Sequence, residues 1–285
     1  MAGETLTGVF SDIADAVRAK GVTGQMTPLQ MPAKITSIPS GGETPEAEWK
    51  DVNFIDYDGK NLYSYTTEEA LALTELPPAP DRTSKGLTFQ EWNYTLAEMK
   101  ANANDTGKCT AGAIYFPTDG KTHLFITLPD EKFVGVRIPV DVGSSYSDTI
   151  VVDWGDGNTD SLTGYNWKTF DHTYNTNVFP SSYEIKVHTT GGRAYSLSDD
   201  GIFSSPSLPT KYVRNSIIDK IYFGTKANTA RCIRYNVNLK EVVIPNNLTD
   251  KIIYCDYTGS LYGIVCPSEA VVSSMRGSTL QVISI

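Results

Sequence analysis

The chain has 285 residues, enough for about two domains with sizeable cores. Hydrophobic residues make up 40%, aromatic residues 11% and charged residues 20%, a balance that excludes a disordered tail. With 24 Lys plus Arg against 33 Asp plus Glu, a net charge of −9 and no basic cluster, binding to nucleic-acid phosphates is disfavoured.

Leu6, Val9, Phe10, Ile13, Ala14 and Val17 recur at helical spacing ahead of Gly21, which predicts a short helix with one apolar stripe. Pro28 opens a second with Leu29, Met31, Ile35 and Ile38, stopped by Pro39-Ser40-Gly41-Gly42. Helices this short cannot bury their stripes alone. Residues 1–41 are therefore expected to pack on another subunit or domain, through Val9, Phe10, Ile13 and Val17. The Pro-, Gly- and Glu-rich stretch that follows predicts a linker at 42–48.

A small α+β module is expected over 49–118. Val52 to Tyr65 reads as two strands about an Asp58-Gly59 turn, and Thr66 or Thr67 caps a helix through Leu73. After Leu76-Pro77-Pro78-Ala79-Pro80, a second helix is expected from Phe89 to Met99. Residues 119–200 then run strand after strand, at 123–128, 133–138, 149–154, 183–188 and 193–197, which predicts a small β-sandwich. From 201 to 285 the segments headed by Ile218, Leu239, Leu261 and Leu280 superimpose at offsets of 21, 22 and 19, a solenoid period with one strand per turn. The fold class is thus multidomain and mainly β, with a small helical N-terminus.

No apolar run approaches the ~18 residues of a membrane span, and the N-terminus lacks the basic and apolar regions of a secretory signal. The chain is expected to be made in a cytoplasm, without membrane insertion. Cys109, Cys232, Cys255 and Cys266 show no Cys-x-x-Cys spacing, so buried thiols are expected, with Cys232 and Cys255 stacked in neighbouring repeats.

In Trp154-Gly155-Asp156-Gly157 the two glycines permit a tight inter-strand turn, and the tryptophan is available for the sandwich core. Asp156, Asn158 and Asp160 also begin like an oxygen-ligand calcium loop. Ser161 stands where such a loop needs Gly, and Trp167 takes the place of its last, bidentate Glu, so calcium is disfavoured and neither metal nor cofactor is expected. His123, His172 and His188 have no metal-ligand spacing and read as structural; no nucleophile elbow or phosphate loop occurs. The carboxylates Asp199-Asp200 and Asp153/Asp156/Asp160 leave glycoside hydrolysis open, although Asp beside Gly is first of all a turn residue. Tyr254, Asp256, Tyr257 and Tyr262 are candidates for stacking on sugars or anchoring a protein partner, against the simpler use of tyrosine in strands.

Three stretches resemble known modules. Ile13 to Lys20 with Met31 to Ile35 looks like a short N-terminal module of tail and other virion proteins from phages or prophages of Gram-positive gut bacteria. Val52 to Gly59 with Gly86 to Leu96 resembles a second unit of such proteins. Asp153 to Gly157, Asp171-His172-Thr173-Tyr174 and Tyr183 to Val187 resemble a PKD-type immunoglobulin-like domain. That likeness gives Asp153, Trp154, Gly155, Asp156, Gly157, His172 and Tyr174 the structural turn and core, with His172 near a strand start bonding a neighbouring loop. The stretch after 218 is similar to degenerate leucine-rich repeats of bacterial surface proteins.

Together the resemblances imply a non-enzymatic virion protein: a tail-fibre, receptor-binding or decoration component assembled in the bacterial host cytoplasm. It would be a homo-oligomer held to other virion proteins by its N-terminus and would present β domains to a host-surface glycan or protein. A bacterial adhesin built from the same modules and a glycan-degrading tail enzyme are the alternatives.

Overall fold

Strand-forming runs outnumber helical ones along the sequence, and the computed structural model is accordingly mainly β, with several sheets and two α-helices among the described residues. The structure describes residues 47–285 apart from 146, 198–202, 205–216, 230–232, 234–235, 249–251, 255–257, 259, 262, 267–270, 275–280 and 284–285. The predicted N-terminal helices with Val9, Phe10, Ile13 and Val17 lie outside the described residues, as do Cys232, Cys255, Asp256, Tyr257 and Tyr262.

β1 (Val52–Ile55) and β2 (Asn61–Tyr65) pair antiparallel about the Asp58-Gly59 turn, where Gly59 takes φ +86°. Thr66 and Glu69 form a reciprocal capping box that starts α1 (Thr67–Ala72). The expected helix over Phe89 to Met99 needs correction. Leu87–Trp92 is strand β3, and α2 (Leu96–Thr106) starts only after Thr95, whose hydroxyl and the Glu98 carboxylate make a second capping box. The physical reason is aromatic packing. In β3, Trp92 reaches Phe54 at 5.0 Å and Phe89 reaches Tyr115 at 5.6 Å, contacts a helix would not place together. β4 (Cys109–Pro117) completes a sheet of order β2-β1-β4-β3. Behind the first turn, buried Asp56 accepts from Arg82 Nε at 2.8 Å.

The next strands are β5 (Thr122–Leu128), β6 (Gly135–Asp141), β7 (Asp148–Asp153), β8 (Thr159–Gly164), β9 (Trp167–Thr173), β10 (Ser181–Thr189), β11 (Ser196–Leu197) and β12 (Phe203–Ser204). The five expected strands correspond to β5, β6, β7, β10 and a shortened β11. β9 pairs along all seven residues of β6, so β11 and β12 share the other edge of that strand. This smaller sheet faces a six-stranded one. Val136, Ile138, Val140, Phe170 and Leu197 from the first share one core with Leu124, Ile126, Ile150, Val152, Ile185 and Val187 from the second.

β13 (Ile218–Tyr222) and β14 (Glu241–Val243) extend the larger sheet to the order β14-β13-β5-β10-β7-β8, so it runs unbroken across the expected division at 200/201. Beyond lie β15 (Ile252–Tyr254), β16 (Gly263–Val265), β17 (Val271–Ser274) and β18 (Gln281–Ile283). Parallel pairing puts Lys220 opposite Glu241, Ile252 opposite Val271 and Gly263 opposite Gln281, separations of 21, 19 and 18 residues. The first offset is the expected one. Between the expected rungs further strands appear: β16 pairs with β18, and β15 with β17 forms a separate ladder.

The α+β module lies against the larger sheet: Phe125, Tyr222 and Val243 belong to the module's own apolar cluster, and Phe125 meets Tyr222 at 5.0 Å. A second seam joins Ile55 and Ile114 to Val265. There Gly112 is required by space, because a Cβ would stand 2.4 Å from Val265 Cγ1.

Candidate functional site

The motif-bearing residues assemble at the turn between β7 and β8. Trp154 N–H donates to Asn158 O at 3.0 Å and closes the turn, which Gly155 (φ +75°) and Gly157 (φ +93°) make possible. Gly155 is fixed a second time by packing, since a Cβ would lie 2.4 Å from the carbonyl oxygen of Glu184 on β10. The Trp154 ring is fully buried and stacks on His172 at 4.8 Å and 17°. Tyr174 stands edge-on to the imidazole at 4.8 Å, stacks on Tyr183 at 4.1 Å, and donates its hydroxyl to Trp154 O at 2.9 Å.

All three carboxylates of the motif are engaged. Asp153 Oδ1 accepts from Gly155 N–H at 3.0 Å, and Asp160 Oδ2 accepts from Trp154 Nε1–H at 2.8 Å. Asp156 Oδ1 takes Asn158 N–H at 3.0 Å, while its Oδ2 partners His172 Nε2 at 2.8 Å. Burial pushes the Asp156 carboxyl up, but the hydrogen bonds from His172 and Asn158 outweigh it and hold the group below the ordinary carboxylate range. Burial, with the Asp156 charge adding to it, pushes the Tyr174 phenol up and keeps it a donor. Both Asp156 oxygens and Asp160 Oδ2 are thus hydrogen-bonded within the protein, and no group of three or more His, Cys, Asp or Glu side chains suited to a metal occurs among the described residues. What this arrangement does chemically is hold a turn. His172 makes its bond to that turn from near the end of β9.

Of the tyrosine group, only the backbone of Tyr254 is described, in β15. Cys109 and Cys266 are buried, and burial pushes the Cys109 thiol up to about 11, away from nucleophilic use.

Two polar constellations have no signal in the sequence. His123 on β5 sits between two carboxylates, Nδ1 to Glu184 at 2.6 Å and Nε2 to Asp119 at 2.8 Å, with Lys186 Nζ within 3.9 Å of both acids. Both ring nitrogens are taken, which leaves the imidazole no free atom for general-base or metal chemistry. The other is the Asp56–Arg82 pair, 26 residues apart in sequence. A third feature is aromatic: Tyr165, between β8 and β9, and Trp167, the first residue of β9, stand half-exposed, and their only sequence trace is that Trp167 occupies the last position of the calcium-like loop.

No protein-family model matches the chain, no curated protein is similar to it, and no solved structure matches it.

Proposed function

We propose that the chain is a non-enzymatic structural component of a phage or prophage virion, of the tail-fibre, receptor-binding or decoration kind. Residues 1–41 attach it to other virion proteins within a homo-oligomer, and the β units beyond them are carried outward to a host-surface glycan or protein. In this reading residues 119–200 are an immunoglobulin-like sandwich of the PKD type, and 201–285 a degenerate leucine-rich-repeat-like stack. Attachment works by avidity, through several copies of a weak contact on one particle.

The observation that supports it best is the spending of polar groups. The motif carboxylates, His172 and His123 are each tied to protein partners that hold strands and turns together, as in a scaffold built to display surfaces. The test is the mass in solution, by light scattering, of the full chain beside a chain beginning at Glu48. An oligomer that falls to monomer on truncation is expected. Monomers in both cases overturn self-association through residues 1–41.

A further inference from the structure

Among the described residues, six large apolar side chains stand in solvent, and Leu162, Tyr165 and Trp167 lie within one short stretch, where the chain crosses from β8 in the larger sheet to β9 in the smaller. Trp167 and Tyr165 are each 51% exposed. Exposed aromatics on a floppy tip would be unremarkable, but this tip is fixed. Asn166 takes φ +58°, and its N–H donates to Gly143 O at 2.8 Å. Trp167 itself is hydrogen-bonded into the sheet in register with Asp141.

The register decides what lies beside it. On β9 the buried Phe170 points to the core, so Trp167, Thr169 and Asp171 point outward. On β6 the buried residues are Val136, Ile138 and Val140, so Arg137, Pro139 and Asp141 point outward. Asp141 stands opposite Trp167 on one side and opposite Ser196 on the other. Trp167, Asp141 and Ser196 therefore form one row across the outer face of the smaller sheet, at lateral steps of about 5 Å. Next to the row opens a cavity of about 270 Å³, lined by Asp141, Gly143, Arg193, Ser196 and Asn228. Gly143 N–H holds Asp141 Oδ1 at 2.9 Å, which orients the carboxylate.

We propose that this row and cavity bind a sugar ring of a glycan, with Trp167 as the stacking platform and Asp141, Ser196 and Asn228 as partners for its hydroxyls. A pyranose carries an apolar C–H face and an equatorial belt of groups that both donate and accept, and an indole beside a carboxylate, a hydroxyl and an amide answers both. The small cavity holds a ring rather than a drug-sized ligand. A stacked nucleotide is disfavoured, because its phosphates would meet Asp141 on a chain of net charge −9.

The inference rests on the host-attachment reading and names the ligand class and the residues. The test is binding of the full chain to an immobilised panel of neutral, N-acetylated and uronic-acid-containing oligosaccharides, alongside Trp167→Ala, Asp141→Asn and Tyr257→Ala. The expected result is binding to at least one probe, lost roughly tenfold or more in Trp167→Ala and severalfold in the near-isosteric Asp141→Asn, with unchanged circular dichroism and melting temperature. Undiminished binding in both variants overturns the site, as does a loss confined to Tyr257→Ala. If the full chain forms the N-terminally held oligomer yet ignores every sugar on the panel, the site falls and the virion reading stands.

Discussion

Two glycine turns of the molecule, Asp58-Gly59 between β1 and β2 and Gly155-Asp156-Gly157 between β7 and β8, look alike in sequence and are held by different physics. Gly59 has positive φ, but a Cβ there would meet nothing within 4 Å. Its hairpin is tied to the module by β1 pairing with β4, by the buried Asp56–Arg82 pair and by Tyr57, which meets Tyr115 edge-on at 5.5 Å. Gly155 has positive φ and also lies against the backbone of β10, and its turn is clamped by a tryptophan, a histidine, a tyrosine and three carboxylates. A local glycine requirement is readable from a dipeptide, whereas a tertiary one depends on which strand passes behind it.

The largest effect that breaks this comparison is Trp154→Ala. It empties a fully buried site, takes the indole donor from the exposed Asp160 carboxylate and removes the stacking face of His172, and it is expected to cost about 3–5 kcal/mol in denaturant unfolding. Arg82→Ala attacks the other turn and leaves Asp56 buried without its counter-charge. The expected loss is about 3 kcal/mol or more, and Asp56→Asn added to it should recover part of that loss in the same assay. The pair of glycine variants sharpens the contrast. Gly59→Ala should cost roughly 1 kcal/mol from backbone conformation alone, and Gly155→Ala at least about 1 kcal/mol more, because the methyl must displace a backbone carbonyl.

The smallest effect is one of pH. The folded-state pKa of Asp156 lies below the ordinary value of about 3.9. Its contribution is therefore complete above that value and disappears as pH falls through the lower, folded one. Acid unfolding followed by tryptophan fluorescence below about pH 4 should flatten in Asp156→Asn. The part due to Asp148 should remain; burial raises that carboxyl, but hydrogen bonds from Gly191, Arg193 and Thr149 N–H groups outweigh it and depress it as well.

Legibility followed exposure. Strands with one face in the core, such as β5, β6 and β10, alternate and were plain in the sequence. β8 exposes five of its six residues and reads only as Thr-Asp-Ser-Leu-Thr-Gly, while β4 buries seven of nine and shows no alternation at all. Both fall outside a period-two signal for opposite reasons. Phe89 to Trp92 has no local helical preference strong enough to resist pairing with β4; the Thr95–Glu98 capping box is the sequence signal that marks the helix start. At the motif, the turn glycines and the buried tryptophan could be read directly. The pairing of His123 with Glu184 and of Arg82 with Asp56 could not, because residues 61 and 26 positions away have no sequence tie to them.

The seam between Gly112 and Val265 bears on how the chain is made. The α+β module has its four strands by residue 117, yet Ile55 and Ile114 are covered by Val265, and Asn93 donates to Cys266 O at 3.5 Å. Roughly 150 residues separate the two sides of that contact, about 7–30 s of synthesis at about 5–20 residues per second. During that interval the first-made module waits with an apolar strip uncovered, so the growing chain is most vulnerable to sticking to its neighbours between the completion of β4 and the arrival of β16.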